Sequence, residues 1–173
     1  MVLVRATTMN DWRALREIRL QALQDAPDAF ASTYAKEVAF DEDEWHRRAT
    51  RDGSFIAFLP EVSPAGLGGG YLAAPDTVEL IAMFVRPQAR GRGVGEAVIE
   101  AVAGWAIQKD ATAVHLWVTE TNKRARLLYE RCGFTATDER QPLPSDPAVI
   151  EIGMLRPLKT GPRVTGPRVT GPA

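Results

Sequence analysis

The chain has 173 residues, a length suited to one domain, and 45% of them are hydrophobic, enough for a substantial core. Its formal net charge of −1 excludes the overall basic character of a general nucleic-acid binder, and no apolar run approaches the roughly 20 residues of a membrane span. One cysteine cannot close an internal disulfide, and the start MVLVRATTMNDW lacks the shape of a secretory signal, so a cytoplasmic protein is expected, with neither nucleic acid nor membrane as partner.

In chain order, MVLVRAT reads as a first strand. Thr8 and Asp11 have capping-box spacing before a helix that carries Trp12, Leu15, Ile18 and Ala22, and Pro27 marks its end. PDAFASTYAKEVAF is ambiguous between a helical turn and a loop. DEDEWHRRAT begins acidic and ends basic, which matches a helix dipole. SFIAFL and GLGGGYLAA read as a strand pair joined by a loop containing Pro60 and Pro64. TVELIAMFV is the strongest strand, apolar on both faces except Glu79, and therefore central.

A helix from about 93 to 108 follows, with Val94, Ala97, Val98, Ala101, Val102 and Trp105 on one face. AVHLWV is a strand. NKRARLLYERC is a helix with Ala125, Leu128, Tyr129 and Cys132 on one side, and Gly133 suits its stop. FTATDE and AVIEIGML close the fold. Residues 1–158 are expected to form one domain. The Thr-Gly-Pro-Arg-Val repeat of 159–173 has too few apolar residues to build a core and reads as a flexible tail.

The turn before the long helix, VRPQARGRGVGEAVIEAV, places Gly91, Gly93 and Gly95 among Arg90 and Arg92. A P-loop needs Gly-Lys-Ser/Thr at its end, but Gly95 is followed by Glu96 and Ala97. A dinucleotide fingerprint needs G-x-G-x-x-G/A, and the third position falls on Glu96 or Val98. What remains is Arg90-x-x-Gly93-x-Gly95 between an apolar strand and an amphipathic helix. Backbone N–H groups there, with the helix dipole, favour a phosphate or pyrophosphate. A plain strand-to-helix turn is the bland alternative.

That turn resembles the acyl-CoA pyrophosphate loop of the GNAT superfamily of N-acyltransferases, whose pattern is Arg/Gln-x-x-Gly-x-Gly/Ala. NKRARLLYERCGF, residues 122–134, resembles the second motif of the same family, Asn-x-x-Ala-x-x-Leu-Tyr-Glu-x-x-Gly-Phe. The two occur in the family's order and at its usual separation. The resemblance implies an α/β (α+β) fold: a mixed, mostly antiparallel sheet flanked by helices, splayed open near AMFV to take the pantetheine arm. It implies acetyl-CoA as acyl donor, with Arg90, Gly91, Arg92, Gly93, Val94 and Gly95 around its pyrophosphate. The backbone of Met83, Phe84 and Val85 would lie along pantetheine, and an N–H near Phe84 or Val85 would polarise the thioester carbonyl.

By the same resemblance, Tyr129 matches a tyrosine placed to protonate the thiolate of coenzyme A; its alternative is a core tyrosine. Asn122 matches a cofactor-contacting asparagine and equally suits a helix N-cap. Glu79, the one carboxylate in the strongest strand, is the best candidate base; the alternative is a paired or exposed carboxylate. His115 and Cys132 read as structural. No cluster has metal-ligand spacing, so no metal is expected.

The segment after the first helix should shape the acceptor pocket, with Phe30, Tyr34 and Glu37, and also Phe40 and Trp45, suiting a cationic amine; the alternative is a capped helix with a solvated acidic end. The expected activity is acetyl transfer to a primary amine, on a small molecule or alternatively a peptide or protein, by direct attack in a ternary complex. A non-catalytic acyl-CoA sensor is the rival. Dimers are common in the family, and the resemblance leaves a homodimer open.

Overall fold

The computed structural model describes residues 1–159, so the repeat beyond Lys159 lies outside the described residues. Strand β1 (Leu3–Ala6) leads through a short 3-10 turn into helix α1 (Trp12–Asp25). The Asp11 carboxylate accepts from Thr8 N at 2.7 Å and Thr8 Oγ1 at 2.8 Å, and from Arg5 by two bonds of 2.7 Å. The ambiguous segment after α1 resolves into a 3-10 turn at Pro27–Ala29 and a five-residue helix α2 (Tyr34–Val38), capped by Thr33. Helix α3 (Glu42–Ala49) is acidic at its start and basic at its end, and Asp41 caps it through a 2.8 Å bond from Glu44 N.

The remaining elements are β2 (Ser54–Leu59), β3 (Val62–Ala74), β4 (Thr77–Val85), α4 (Val94–Gln108), β5 (Ala113–Thr119), α5 (Lys123–Arg131), β6 (Thr135–Leu143) and β7 (Asp146–Pro157). Two expectations are corrected. Pro64 lies inside β3, not in a loop. It has no register partner because the β2–β3 ladder is irregular between Ala57 and Leu59, so its missing N–H breaks no ladder bond. The two closing strands also run longer than FTATDE and AVIEIGML suggest, because they pair with each other across a tight turn.

Among the described residues the sheet has seven strands in the order β1-β2-β3-β4-β5-β7-β6, with β4 at its centre, and only β4–β5 is parallel. Helix α4 covers one face. It sits close because Gly66, Gly68 and Gly70 of β3 present no side chain to it: a Cβ on Gly68 would stand 2.6 Å from both Val98 Cγ1 and Met83 Sδ. Helices α1 and α3 cover the other face, where Ile18, Leu23, Phe30, Trp45, Leu67 and Phe84 form a buried cluster. No described helix is long and apolar enough to cross a membrane.

Candidate active site

Gly91 and Gly93 hold φ of +73° and +78°, a left-handed backbone that favours glycine, and a Cβ on either would meet nothing within 4 Å. The space before the turn is therefore open. Gly93 is the N-cap of α4, so the first-turn N–H groups of this 15-residue helix face that space without an intrahelical partner. Gly95 is glycine for a different reason: a Cβ there would lie 2.9 Å from Leu128 Cδ2, where α4 packs on α5. Val94 turns its side chain into the core. Arg90 is exposed and donates to the Val85 carbonyl at 3.1 Å, and Arg92 pairs with Glu61 at 2.8 Å.

One element earlier, the parallel β4–β5 ladder ends at Leu80–Leu116. Beyond it β4 runs on to Val85 without β5. Between Ile81 and Phe84 the strand advances three residues while β3 advances two, from Gly69 to Leu67, and Ala82 takes up the extra residue at φ +57°. That backbone costs roughly 1–2 kcal/mol for a residue with a Cβ. The bulge resets the alternation: Phe84 packs under α1, and Met83 and Val85 pack toward α4. The splay expected near AMFV is present.

The split opens into a cleft of about 1020 Å³. Met83, Asn122 and Tyr129 line one end, Phe30 and Glu37 the other, and Glu79 lies between strands β3 and β5 on its wall. Phe84, Val85, the glycine turn and Tyr34 are not part of its lining. Tyr34 instead packs beside the cluster beneath α1.

Tyr129 is 7% exposed, stacked edge-on against Phe134 at 5.8 Å, and burial pushes its phenol well above the usual range. Among the described residues its hydroxyl has no hydrogen-bond partner. Asn122 caps α5, accepting from Ala125 N at 3.1 Å, and also lines the cleft. Glu79 is paired, not with an arginine but with His115: its Oε2 lies 2.8 Å from Nδ1. His115 Nε2 lies 3.0 Å from Glu139 Oε2. The hydrogen bond to Glu79 raises the His115 pKa against the opposing effect of burial, and Glu139 adds to the rise.

The acceptor end differs from its expectation. Glu37 is 0% exposed. Arg19 grips it with bonds of 2.9 and 2.8 Å, and Arg48 adds one of 3.2 Å. Burial works against its charge, but the two guanidiniums overcome it and hold its carboxyl below the usual range. The charge offered to a cationic amine is thus already neutralised. Phe30 lies under the Arg19 guanidinium at 4.7 Å. Glu44 is likewise taken by Arg47 and Arg48. The carboxylates that remain at the cleft are Glu79 and Glu151, and burial raises the pKa of Glu151, with Gln141 opposing and Glu79 adding to it. Sequence reasoning did not find Glu139 or Glu151. Their strands read as closing strands, and only the β5–β7–β6 pairing brings them to Glu79.

The chain matches the family model described as the acetyltransferase (GNAT) family over residues 12–134. It is 32% identical over 100 residues to an uncharacterised N-acetyltransferase of Methanocaldococcus jannaschii, covering 52% of this chain and 42% of that one. The match spans less than half the length of the curated relatives. Its fold is similar to a GCN5-related N-acetyltransferase from Kribbella flavida, with a TM-score of 0.72 at 24% identity over 91% of this chain and 98% of that one. It is also similar to the yncA protein of Salmonella typhimurium, solved with acetyl-CoA, with a TM-score of 0.72 at 18% identity over 93% and 96%.

Proposed function

The chain belongs to the GNAT acetyltransferase family, and we propose that it transfers an acetyl group from acetyl-CoA to the primary amine of a small molecule by direct attack in a ternary complex. The observation that carries this is one cleft with Glu79 on its wall and Tyr129 at its end, running into the split between β4 and β5. The residues fit the donor. The open space before Gly91 and Gly93 and the free N–H groups of α4 suit its pyrophosphate, and the unpaired edge of β4 from Ile81 to Val85 suits its pantetheine amides. Arg90 adds positive charge, Arg92 is paired with Glu61, and Asn122 lines the cleft. When bound, acetyl-CoA supplies a thioester carbonyl.

The work left to the protein is proton movement. An amine with pKa ~10.4 is almost wholly ammonium at pH 7, and its neutral form costs about 5 kcal/mol. Glu79 takes that proton. Tyr129 holds its own proton at neutral pH, because burial opposes the phenolate, and gives it to the departing sulfur. An N–H of β4 near Phe84 or Val85 steadies the charge that gathers on the carbonyl oxygen.

A tie beside the cleft-lining residues Phe30 and Pro144 favours a small acceptor over a peptide. Ser145 Oγ, in the β6–β7 turn, donates to the Phe30 carbonyl at 2.8 Å and ties that turn to the segment before α2. The test is coenzyme A release at saturating acetyl-CoA with ethanolamine, putrescine, tyramine and lysine methyl ester beside peptides with free N-termini. Release is expected with at least one small amine and not with the peptides; the reverse would reassign the acceptor.

A further inference from the structure

Acetylation of an ammonium releases one net proton: two leave nitrogen, and one returns to sulfur. That proton has to leave the cleft. Glu79 has a second route behind it. Its Oε2 meets His115 Nδ1 at 2.8 Å, and His115 Nε2 meets Glu139 Oε2 at 3.0 Å. Exposure rises along this line, from 13% and 11% for the side chains of Glu79 and His115 to 56% for Glu139.

The line is built rather than incidental. A Cβ on Gly153 of β7 would stand 2.8 Å from Glu139 Oε2 and 2.9 Å from His115 Nε2, so glycine there leaves room for the contact. The β6–β7 ladder is irregular between Ala136 and Arg140, where Glu139 sits, and Thr137 Oγ1 donates to Glu139 Oε2 at 3.0 Å. Trp117 holds the imidazole edge-on at 5.1 Å. The other titratable and charged groups facing this line are Tyr71 of β3, opposite Glu79 with Arg51 over its ring; Glu151 of β7; and Arg140 of β6, which donates to the Thr137 and Glu139 carbonyls.

We propose that His115 and Glu139 relay the proton collected by Glu79 to solvent at the surface of β6. The relay rests on Glu79 being the base. In the productive tautomer His115 carries its proton on Nε2. Glu79 passes its proton to Nδ1, the Nε2 proton passes to Glu139, and Glu139 releases it to water. Both carboxylates end ionised and the imidazole ends neutral with its proton on Nδ1; once the products have left, exchange with water, one proton taken up at Nε2 through Glu139 and one given up from Nδ1 through Glu79, restores the starting tautomer.

Two measurements on the full chain test this. The first is the NMR titration of His115 in the free protein, which needs no acceptor. His115 should titrate above its ordinary value in wild type and lower in Glu139→Gln; an unmoved titration overturns the relay. The second is turnover with acetyl-CoA and the fastest small amine of the panel above. Glu139→Gln and His115→Gln should each lose about 10-fold in kcat at pH 7, with KM for acetyl-CoA within twofold, and added imidazole buffer should restore much of the loss. No loss, or a loss that imidazole leaves unchanged, overturns it. If Glu79→Gln is slow while these two variants are not, the base reading stands and the relay fails. If Glu79→Gln keeps full turnover, the base reading itself fails and the relay falls with it.

Discussion

At the scale of single residues, Glu37 and Tyr129 are buried side chains with opposite tasks. Glu37 anchors two arginines inside the protein, so Glu37→Gln leaves the Arg19 guanidinium without its counter-charge, while Arg48 keeps Glu44. A loss of roughly 3–5 kcal/mol is expected, read as a fall in denaturant midpoint. Tyr129 lacks a hydrogen-bond partner among the described residues, so Tyr129→Phe should leave stability almost untouched. On the proposed chemistry it should lower the single-turnover rate by roughly 10²-fold, about 3 kcal/mol of barrier, with acetyl-CoA affinity little changed. A chemical step within twofold of wild type would make it a packing residue. His115 makes a prediction of its own. Its raised pKa means that its pairing stabilises the fold fully below about pH 6.5 and that this contribution is lost as pH rises through the folded value. The stability gap between wild type and His115→Gln should therefore be wider at pH 6 than at pH 9 in urea titrations. The positions of Tyr129 and Asn122 were legible because they lie in one contiguous motif on one helix. The pairing of Glu79 was not, because its partner lies 36 residues away and meets it only through the parallel register of β4 and β5.

Among the elements, the turn into α4 separates conformation from ligand space. Gly93→Ala meets no atom within 4 Å, so it should cost only the strain of a left-handed alanine, roughly 1–2 kcal/mol. Gly93→Asp adds a negative charge where the proposed pyrophosphate lies, and it should weaken acetyl-CoA binding far more than Gly93→Ala with the fold retained, as calorimetry and circular dichroism would show. Gly68→Ala tests packing instead: its Cβ would press on Val98 and Met83, and a loss of about 1–3 kcal/mol is expected by thermal unfolding. Helices α4 and α5 and strand β4 were readable because their apolar spacing is long and regular. Helix α2 was not, since five residues carry little periodicity and its Glu37 is fixed by arginines from α1 and α3. Pro64 pointed to a loop because the sequence does not reveal the irregular β2–β3 register that accommodates it.

Across the whole molecule, one departure from a continuous sheet organises the site. The parallel pair at its centre stops early, the cleft and the free edge of β4 adjoin that split, and the amide-rich start of α4 follows the end of β4. The splay itself was expected only from the family's pattern, and the residues that shape it, Ala82 and the glycines of β3, carry no sequence signal of a bulge. The proposed chemistry requires donor and acceptor to occupy this split together, with no acetyl group parked on the protein. Rapid mixing of enzyme with acetyl-CoA, followed by addition of the best amine of the panel, tests this most directly through the release of free thiol. Thiol is predicted to appear only once the amine is present. A burst equal to the enzyme concentration before the amine is added would contradict direct transfer.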